Sequence, residues 1–215
     1  NILRIRWQDG EGEWFDNMQS ASAEACPNSG CFASEVVSYI PAKRNDGSLI
    51  PAEFQVSSKA LGAPQNDETA NYVSLGFGGE ITLAFSEPIA NGPGEDILVT
   101  ESTFGRNPCN RYPETVQAYA SQDGCHFVYL GEACQDARFD LGQLSWAKYI
   151  RLKDVSPLNY PYGESVVDGY DVDAVQCLNG MASSPGDDGL MAGAARQVIQ
   201  YIPGSRKNGS AIHPS

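Results

Sequence analysis

Residues 72–85 read YVSLGFGGEITLAF, and this stretch decides the class of fold. Apolar residues alternate with small or polar ones on either side of Gly78 and Gly79, as in two strands joined by a tight turn. Other segments also have strand length, namely DILVTES, ETVQAYAS, HFVYLG, KYIRLKD and DVDAVQCL. Gly, Pro, Asn or Asp separates them, and no ten-residue helical pattern lies between them. We therefore predict an all-β protein, an antiparallel β-sandwich or jelly roll.

The amino-acid composition indicates which partners and which cellular compartment suit this chain. The 215 residues carry 14 Lys and Arg against 27 Asp and Glu, a net charge of −13 that argues against nucleic acid. There is no apolar run of about 18 residues and no signal-peptide pattern, so the chain as given is predicted not to insert into a membrane. Six cysteines without a CxxC pair, together with 22 Gly and 13 Pro, favour a secreted or cell-surface protein from an oxidising compartment.

The chain repeats part of itself. Residues 36–50 read VVSYIPAKRNDGSLI, and residues 198–212 read VIQYIPGSRKNGSAI, aligned without a gap. This offset is far longer than a solenoid repeat, so it indicates tandem whole domains. Asp16 is predicted to cap a short helix within residues 13–25. The predicted order is a short helical or irregular N-terminal extension (1–35), a β-sandwich module (36–179), a linker (180–197) and the start of a second repeat (198–215).

The acidic stretch GESVVDGYDVDAV, residues 163–175, predicts a calcium (Ca2+) site. Two-residue periodicity would place Asp171 and Asp173 on one face of a strand, with Val172 and Ala174 on the other. Calcium takes six to eight oxygen ligands, and NGPGEDILVTE offers more of them. A solvated acidic loop pair and a glycosidase acid and base are the alternatives. The candidate metal ligands are Asp96, Glu101, Asp168, Asp171 and Asp173.

Aromatic and basic loop residues are candidates for ligand binding. Tyr faces stack on sugar rings, and Arg side chains contact hydroxyl groups, which points to Tyr160, Tyr162, Arg106 and Arg111. The alternative is that the Tyr pair packs as a lid on one end of the sandwich. Neither His126 nor His213 has a plausible nucleophile beside it, and there is no GxSxG motif. We therefore expect no enzyme.

The six cysteines allow fifteen pairings if all are oxidised. Cys26 and Cys31 enclose the turn-rich segment PNSG, so we predict a local bridge between them. The remaining cysteines, Cys109, Cys125, Cys134 and Cys177, would form two more structural disulfides.

Eight phrases in order resemble a repeat module of large secreted cell-surface proteins of gliding Bacteroidetes: SYIPAKRNDGS, KALGAPQ, YVSLGFGGEITLAF, NGPGEDILVTE, CNRYPETVQAYASQDG, FVYLGEAC, AKYIRLKD and GYDVDAVQCL. The segments SQDG and AKYIRL and the terminal strand are also similar to discoidin-like and family 6, 32 and 35 carbohydrate-binding modules. The resemblance covers residues 36–179 and, less fully, 198–215.

The resemblance implies a galactose-binding-like jelly roll with a structural calcium ion. It matches Glu101 and either Asp171 or Asp173 to the calcium ligands. It also implies a Cys109–Cys134 disulfide, which would leave Cys125 to pair with Cys177.

Three functions follow from these observations. The first is a calcium-stabilised adhesion module that binds an extracellular glycan or other polymer and has neighbouring repeats of the same chain as partners. The second is a structural spacer repeat without a ligand, and the third is a glycan-active hydrolase. A concave patch with exposed Tyr and Arg would favour the first, and flat polar loops would favour the second.

Overall fold

The structure is a computed structural model, and it describes residues 31–65, 70–103, 108–160 and 166–182, with two short strands before them. Two short 3-10 helices, Ala52–Phe54 and Ser57–Ala60, accompany the strands. The strands along the chain are β1 Arg6–Gln8, β2 Trp14–Asp16, β3 Glu35–Ile40, β4 Val73–Ser74, β5 Glu80–Ala90, β6 Ile97–Glu101, β7 Thr115–Ser121, β8 Val128–Cys134, β9 Ala137–Phe139, β10 Trp146–Asp154 and β11 Asp171–Cys177.

Two antiparallel sheets form the sandwich. One has five strands in the order β3-β5-β10-β7-β8, and the other has four in the order β4-β11-β6-β9. From β5 onward the chain passes repeatedly between the sheets, so strands that are distant in sequence become neighbours. Every pairing is antiparallel. The predicted all-β antiparallel sandwich is confirmed.

The core lies between the two sheets and is built by alternate residues. In β5 the inward side chains are Ile81, Leu83 and Phe85, and each is at most 1% exposed. In β10 they are Ile150 and Leu152, which are fully buried. The period of two follows from the pleat of a strand, which sends successive side chains to opposite faces. This local periodicity is why the sandwich could be predicted from sequence.

The N-terminal region contains two short strands. Residues 14–16 form strand β2, which pairs with β1 in a two-stranded antiparallel sheet, and residues 17–25, where the predicted helix would follow Asp16, lie outside the described residues. Apart from these two strands, residues 1–30 lie outside the described residues, as do residues 183–215 with the rest of the predicted linker and the second repeat.

Residues 31–35 belong to the sandwich rather than to an extension. Phe32 forms an antiparallel bridge with Gln176 of β11, and the Ala33 N–H donates to the Val175 carbonyl at 2.9 Å. Ala33 is 1% exposed and is part of the core. The Ser34 N–H then donates to the Ala84 carbonyl of the other sheet at 2.9 Å. The segment therefore crosses from one sheet to the other as it enters the module.

One disulfide joins this entry segment to the last strand. Cys31 is bonded to Cys177 across 146 residues of sequence, and the Cys177 N–H donates to the Cys31 carbonyl at 2.7 Å. The predicted local bridge between Cys26 and Cys31 is therefore wrong, and Cys26 itself lies outside the described residues. The local turn suggested that bridge, but the antiparallel alignment of residues 31–33 with β11 decides the partner.

The second disulfide joins Cys109 to Cys134, as the resemblance implied. Because Cys177 is taken by Cys31, the implied pairing of Cys125 with Cys177 is wrong. Cys125 is exposed and has no disulfide partner among the described residues. None of the helices that the structure describes is long and apolar enough to cross a membrane.

We predict that replacing both Cys31 and Cys177 with Ser lowers the free energy of unfolding by about 2–5 kcal/mol, because a closed loop of this length restricts the unfolded chain. Urea denaturation of the oxidised proteins measures the change. Cys125→Ser is the matched control and should leave the midpoint unchanged. A double variant as stable as the wild type would contradict the structural role of this disulfide.

Candidate metal centre and ligand-binding residues

An acidic cluster lies at one end of the sandwich, where strands from both sheets begin or end. Strand β6 ends at Glu101, and β11 begins at Asp171, one residue before Val172, which pairs with Glu101. Glu114 immediately precedes β7 of the other sheet. Asp168 lies just before β11. We call Glu101, Glu114, Asp168 and Asp171 the acidic cluster.

Several polar contacts tie the cluster together. The Thr103 hydroxyl is a hydrogen-bond donor to Glu101 and lies 3.3 Å from a carboxylate oxygen of Glu114. The Ser102 N–H donates to the Asp171 carbonyl at 3.1 Å. The Ser74 hydroxyl donates to the Asp168 carbonyl at 3.1 Å. Oxygen atoms at the end of β4, just after β6 and at the start of β11 therefore take part in the contacts of the cluster.

Two carboxylate oxygens in the cluster are buried without a hydrogen-bond partner. They are Oε1 of Glu101 and Oδ1 of Asp171. The Asp171 side chain belongs to a residue that is only 6% exposed. A buried polar atom without a partner costs free energy, since it has lost its hydrogen bonds to water. A cation bound to these two oxygen atoms would compensate for the lost hydrogen bonds.

Burial dominates the electrostatics of the cluster. It raises the pKa of Glu101 to about 7 and the pKa values of Glu114 and Asp171 well above the ordinary range. The charges of neighbouring carboxylates add to the shifts of Glu114 and Asp171. Burial also raises the pKa of Asp168, where the positive charge of Arg44 opposes the shift. Burial and mutual repulsion therefore disfavour the charged forms of these groups.

Three of the predicted metal ligands come together in the cluster, but Asp96 does not. Asp96 precedes the first residue of β6 and Glu101 is the last, so the two lie about 16 Å apart along the strand. The Asp96 carboxylate accepts hydrogen bonds from the Gly92 N–H at 2.7 Å, the Leu141 N–H at 2.8 Å and the Asn179 amide at 2.8 Å. It organises loops at the opposite end of the sandwich, and its assignment to a shared metal site is wrong.

Asp173 is also held elsewhere. Its carboxylate accepts from the Gln65 N–H at 3.2 Å. The pairing of β11 with β6 shifts by one residue between Val172 and Ala174, which is a β-bulge. Val172 and Val175 belong to the main core cluster, whereas Ala174 is fully buried outside that cluster, so the predicted alternation fails at this point.

Sequence reasoning missed Glu114 and the structural carboxylate Asp154. Glu114 is the first residue of the predicted strand ETVQAYAS, and this position was its only signal. Asp154 ends β10 and accepts from the Gly78 N–H at 3.0 Å, the Tyr170 N–H at 2.9 Å and the Ser156 hydroxyl at 2.6 Å. Gly78 and Tyr170 lie far from Asp154 in the sequence, so no local pattern revealed their two contacts.

The oxygen atoms of the acidic cluster suit a hard cation, but the side chains as they stand do not surround a single ion. Carboxylate, hydroxyl and carbonyl oxygens are the ligands that calcium prefers. Among residues 31–65, 70–103, 108–160 and 166–182, however, no three His, Cys, Asp or Glu side chains converge as ligands of one ion. The cluster supplies suitable oxygen atoms without forming a closed coordination sphere.

Two of the predicted ligand-binding residues, Tyr160 and Arg111, lie in the part of the chain that the structure describes. Tyr160 is only 6% exposed and packs against Phe77 and Tyr112, with ring centroids 6.2 and 5.9 Å apart. It is therefore a packed lid, which was the alternative reading, and its assignment as a ligand contact is wrong. Arg111 is exposed and lies 5.9 Å from the Tyr112 ring. Arg106 and Tyr162 lie outside the described residues.

The chain is similar in structure to family 32 carbohydrate-binding modules. One is the module from Streptococcus pneumoniae EndoD, with 11% identity over 67% of this chain and 94% of that chain, and a TM-score of 0.44. Another is from a family 31 glycoside hydrolase of Clostridium perfringens, with 9% identity over 68% and 90% and a TM-score of 0.37.

A third similar structure is the C-terminal domain of a chitobiase from Bacteroides fragilis. It shows 17% identity over 69% of this chain and 95% of that chain, with a TM-score of 0.39. No protein-family model and no curated protein matches the sequence. The assignment of this chain to a repeat of gliding Bacteroidetes stays a prediction.

We predict that the metal-free protein loses stability as the pH rises from about 4.5 to 7. A carboxyl group with a raised pKa holds its proton more tightly in the folded state, so its stabilisation is present below its unfolded pKa and is lost as the pH rises through its folded value. Glu101→Gln should flatten this part of the profile, because the amide cannot ionise. Melting temperatures measured in EDTA at closely spaced pH values provide the test.

The matched control for this profile is Glu87→Gln, because Glu87 is exposed on β5. It should keep the wild-type slope. If Glu101→Gln also keeps that slope, burial of Glu101 is not the source of the pH dependence.

Proposed function

We propose that the chain is a non-catalytic extracellular module of a repetitive bacterial cell-surface protein, stabilised by calcium and binding a glycan or another extracellular polymer. The observation that carries this proposal is the acidic cluster, in which buried carboxylates with two unpaired oxygens adjoin a disulfide-closed sandwich. The disulfides support an oxidising, extracellular compartment. The repeat in the sequence supports neighbouring copies of the same module.

Calcium is the proposed neutralising ion. Glu101, Glu114 and Asp171 would hold it, with Thr103 and nearby carbonyl groups as further oxygen donors. Two of these carboxylates already have an oxygen without a partner, and only Arg44 contributes an opposing positive charge to the described pKa shifts of the cluster. To bind calcium, the side chains of Glu101, Glu114 and Asp171 would have to rotate so that their carboxylates face one ion. Bound calcium would replace the protons that the buried groups otherwise hold, and it would brace the ends of β6 and β11.

We predict that calcium raises the melting temperature of EDTA-stripped protein at neutral pH by about 5–10 °C at a hundredfold excess over Kd. Asp171→Asn removes one proposed ligand charge and should abolish most of the increase. Calorimetric scans with and without calcium measure it, and magnesium serves as the ion control because it prefers a tighter octahedral site.

Glu95→Gln is the matched variant control for calcium, since Glu95 is exposed in a loop away from the cluster. It should respond to calcium as the wild type does. If metal-free protein melts at the same temperature with and without calcium, the calcium part of the proposal fails.

The acidic cluster does not favour a glycosidase. A glycosidase acid and base flank the substrate about 5–10 Å apart across a cleft. Glu101 and Glu114 instead share the Thr103 hydroxyl, and Glu114 is 6% exposed. This arrangement leaves no room between them for a sugar and a water molecule. Structural stabilisation is the role that this geometry supports.

Glycan binding is supported by the motif resemblance to carbohydrate-binding modules. A glycan array probed with the calcium-loaded and the EDTA-treated module should show calcium-dependent or calcium-strengthened binding to at least one glycan. Incubation of the bound glycans with the protein should release no shorter products. Absence of binding in both states would favour a structural spacer, and released products would favour the hydrolase.

A further inference from the structure

The outer face of the five-stranded sheet carries a row of aromatic and arginine side chains. Arg151 of β10 pairs with Tyr119 of β7, and Tyr119 pairs with Tyr129 of β8. The core contains the neighbouring residues Ala118 and Ile150, so Tyr119 and Arg151 point away from it. We call Tyr119, Phe127, Tyr129 and Arg151 the aromatic face. None of these residues was singled out in the sequence.

The rings of the aromatic face are ordered by mutual contacts and partly open to solvent. The Tyr119 and Tyr129 ring centroids lie 5.4 Å apart at an interplanar angle of 58°. Tyr129 is 52% exposed. The Arg151 guanidinium lies 3.9 Å from the Phe127 ring centroid, and its Nε–H donates to the Thr82 hydroxyl at 3.2 Å. Large rigid rings held in this way offer contact area at a low cost in side-chain entropy.

A row of polar groups lies directly beside the rings. The Tyr119 hydroxyl donates to Gln117 at 2.8 Å, and the Gln117 amide donates to Glu132 at 2.9 Å. Lys153 occupies the next position of the same row, since it pairs with Gln117. Hydrogen-bonding groups in fixed positions beside exposed rings are the combination that binds a ligand with one apolar face and many hydroxyl groups.

The charges around the aromatic face balance although the chain as a whole carries a net charge of −13. Arg151 and Lys153 lie on β10, Glu80 lies on the adjacent strand β5, and Glu132 lies on β8 beyond β7. Lys153 pairs with Glu80 across β10 and β5. A polyanion or polycation would find like charges here as well as opposite ones. The balance favours a neutral ligand.

We propose that the aromatic face binds a neutral pyranose glycan, whose C–H faces stack on Tyr129 and Phe127 while its hydroxyl groups contact Arg151, Gln117 and Glu132. This inference rests on the proposed glycan-binding function and assigns glycan binding to the outer face of the five-stranded sheet. Strand β8 is an edge of the sheet, so the face opens to one side and can take an internal segment of a long chain. Of the predicted loop residues, Tyr160 and Arg111 are not part of this surface, and Tyr162 and Arg106 lie outside the described residues.

Isothermal titration calorimetry with cellohexaose, chitohexaose and mannohexaose tests the proposal on the calcium-loaded chain. At least one of these neutral glycans should bind, and Tyr129→Ala should weaken its binding about tenfold or more, because the side chain supplies central stacking area. Tyr129→Phe keeps the ring and should bind as the wild type does. The matched control is Leu49→Ala. Leu49 is an apolar residue that is 74% exposed and lies outside the aromatic face.

Each outcome has one meaning. Equal thermal stability of Tyr129→Ala and wild type, together with lost binding, supports the aromatic face. Binding that Tyr129→Ala leaves unchanged overturns the aromatic face but keeps the proposed glycan-binding function. If none of the three glycans binds to the wild type, both proposals are overturned. If Tyr129→Ala instead changes the sedimentation coefficient of the wild-type chain, the face is a contact between copies and the proposal is wrong.

Discussion

Buried carboxylates that accept backbone hydrogen bonds hold this sandwich together at both ends. Asp96 joins the loop before β6 to the segment before β10 and to Asn179 after β11. At the other end, Asp154 joins the end of β10 to the β4–β5 turn and to Tyr170. The Asp154 contact also requires Gly169, whose φ is +80° and whose missing side chain would collide with the carboxylate.

The acidic cluster differs from these two carboxylates because two of its buried carboxylate oxygens have no hydrogen-bond donor. Glu101 and Asp171 each bury an oxygen without a partner, and burial with mutual repulsion raises the pKa values of the group. Such an arrangement costs free energy unless a proton or a cation compensates it. Stability, pH and calcium should therefore be linked at this end of the molecule, while the aromatic face on the five-stranded sheet is separate from it.

The candidate site could be predicted only in part. Three of its acidic residues, Glu101, Asp168 and Asp171, were identified because uncompensated carboxylates are visible in a sequence. Glu114 was missed because its proximity depends on how the two sheets face each other. Asp96 was wrongly included because sequence distance does not show which end of a strand a residue occupies. The bulge between Val172 and Ala174, which breaks the regular alternation around Asp173, was not visible in the sequence either.

The amino-acid pattern alone determined the class of fold, because the alternation of buried and exposed side chains is a local property of a strand. It also indicated an oxidising compartment, and its negative net charge argued against a nucleic-acid partner. The partner of Cys31, the convergence of carboxylates and the row of Tyr119, Tyr129 and Arg151 were decided by the order of strands in the two sheets. That order brings together residues that are far apart in the chain, and no local spacing encodes it.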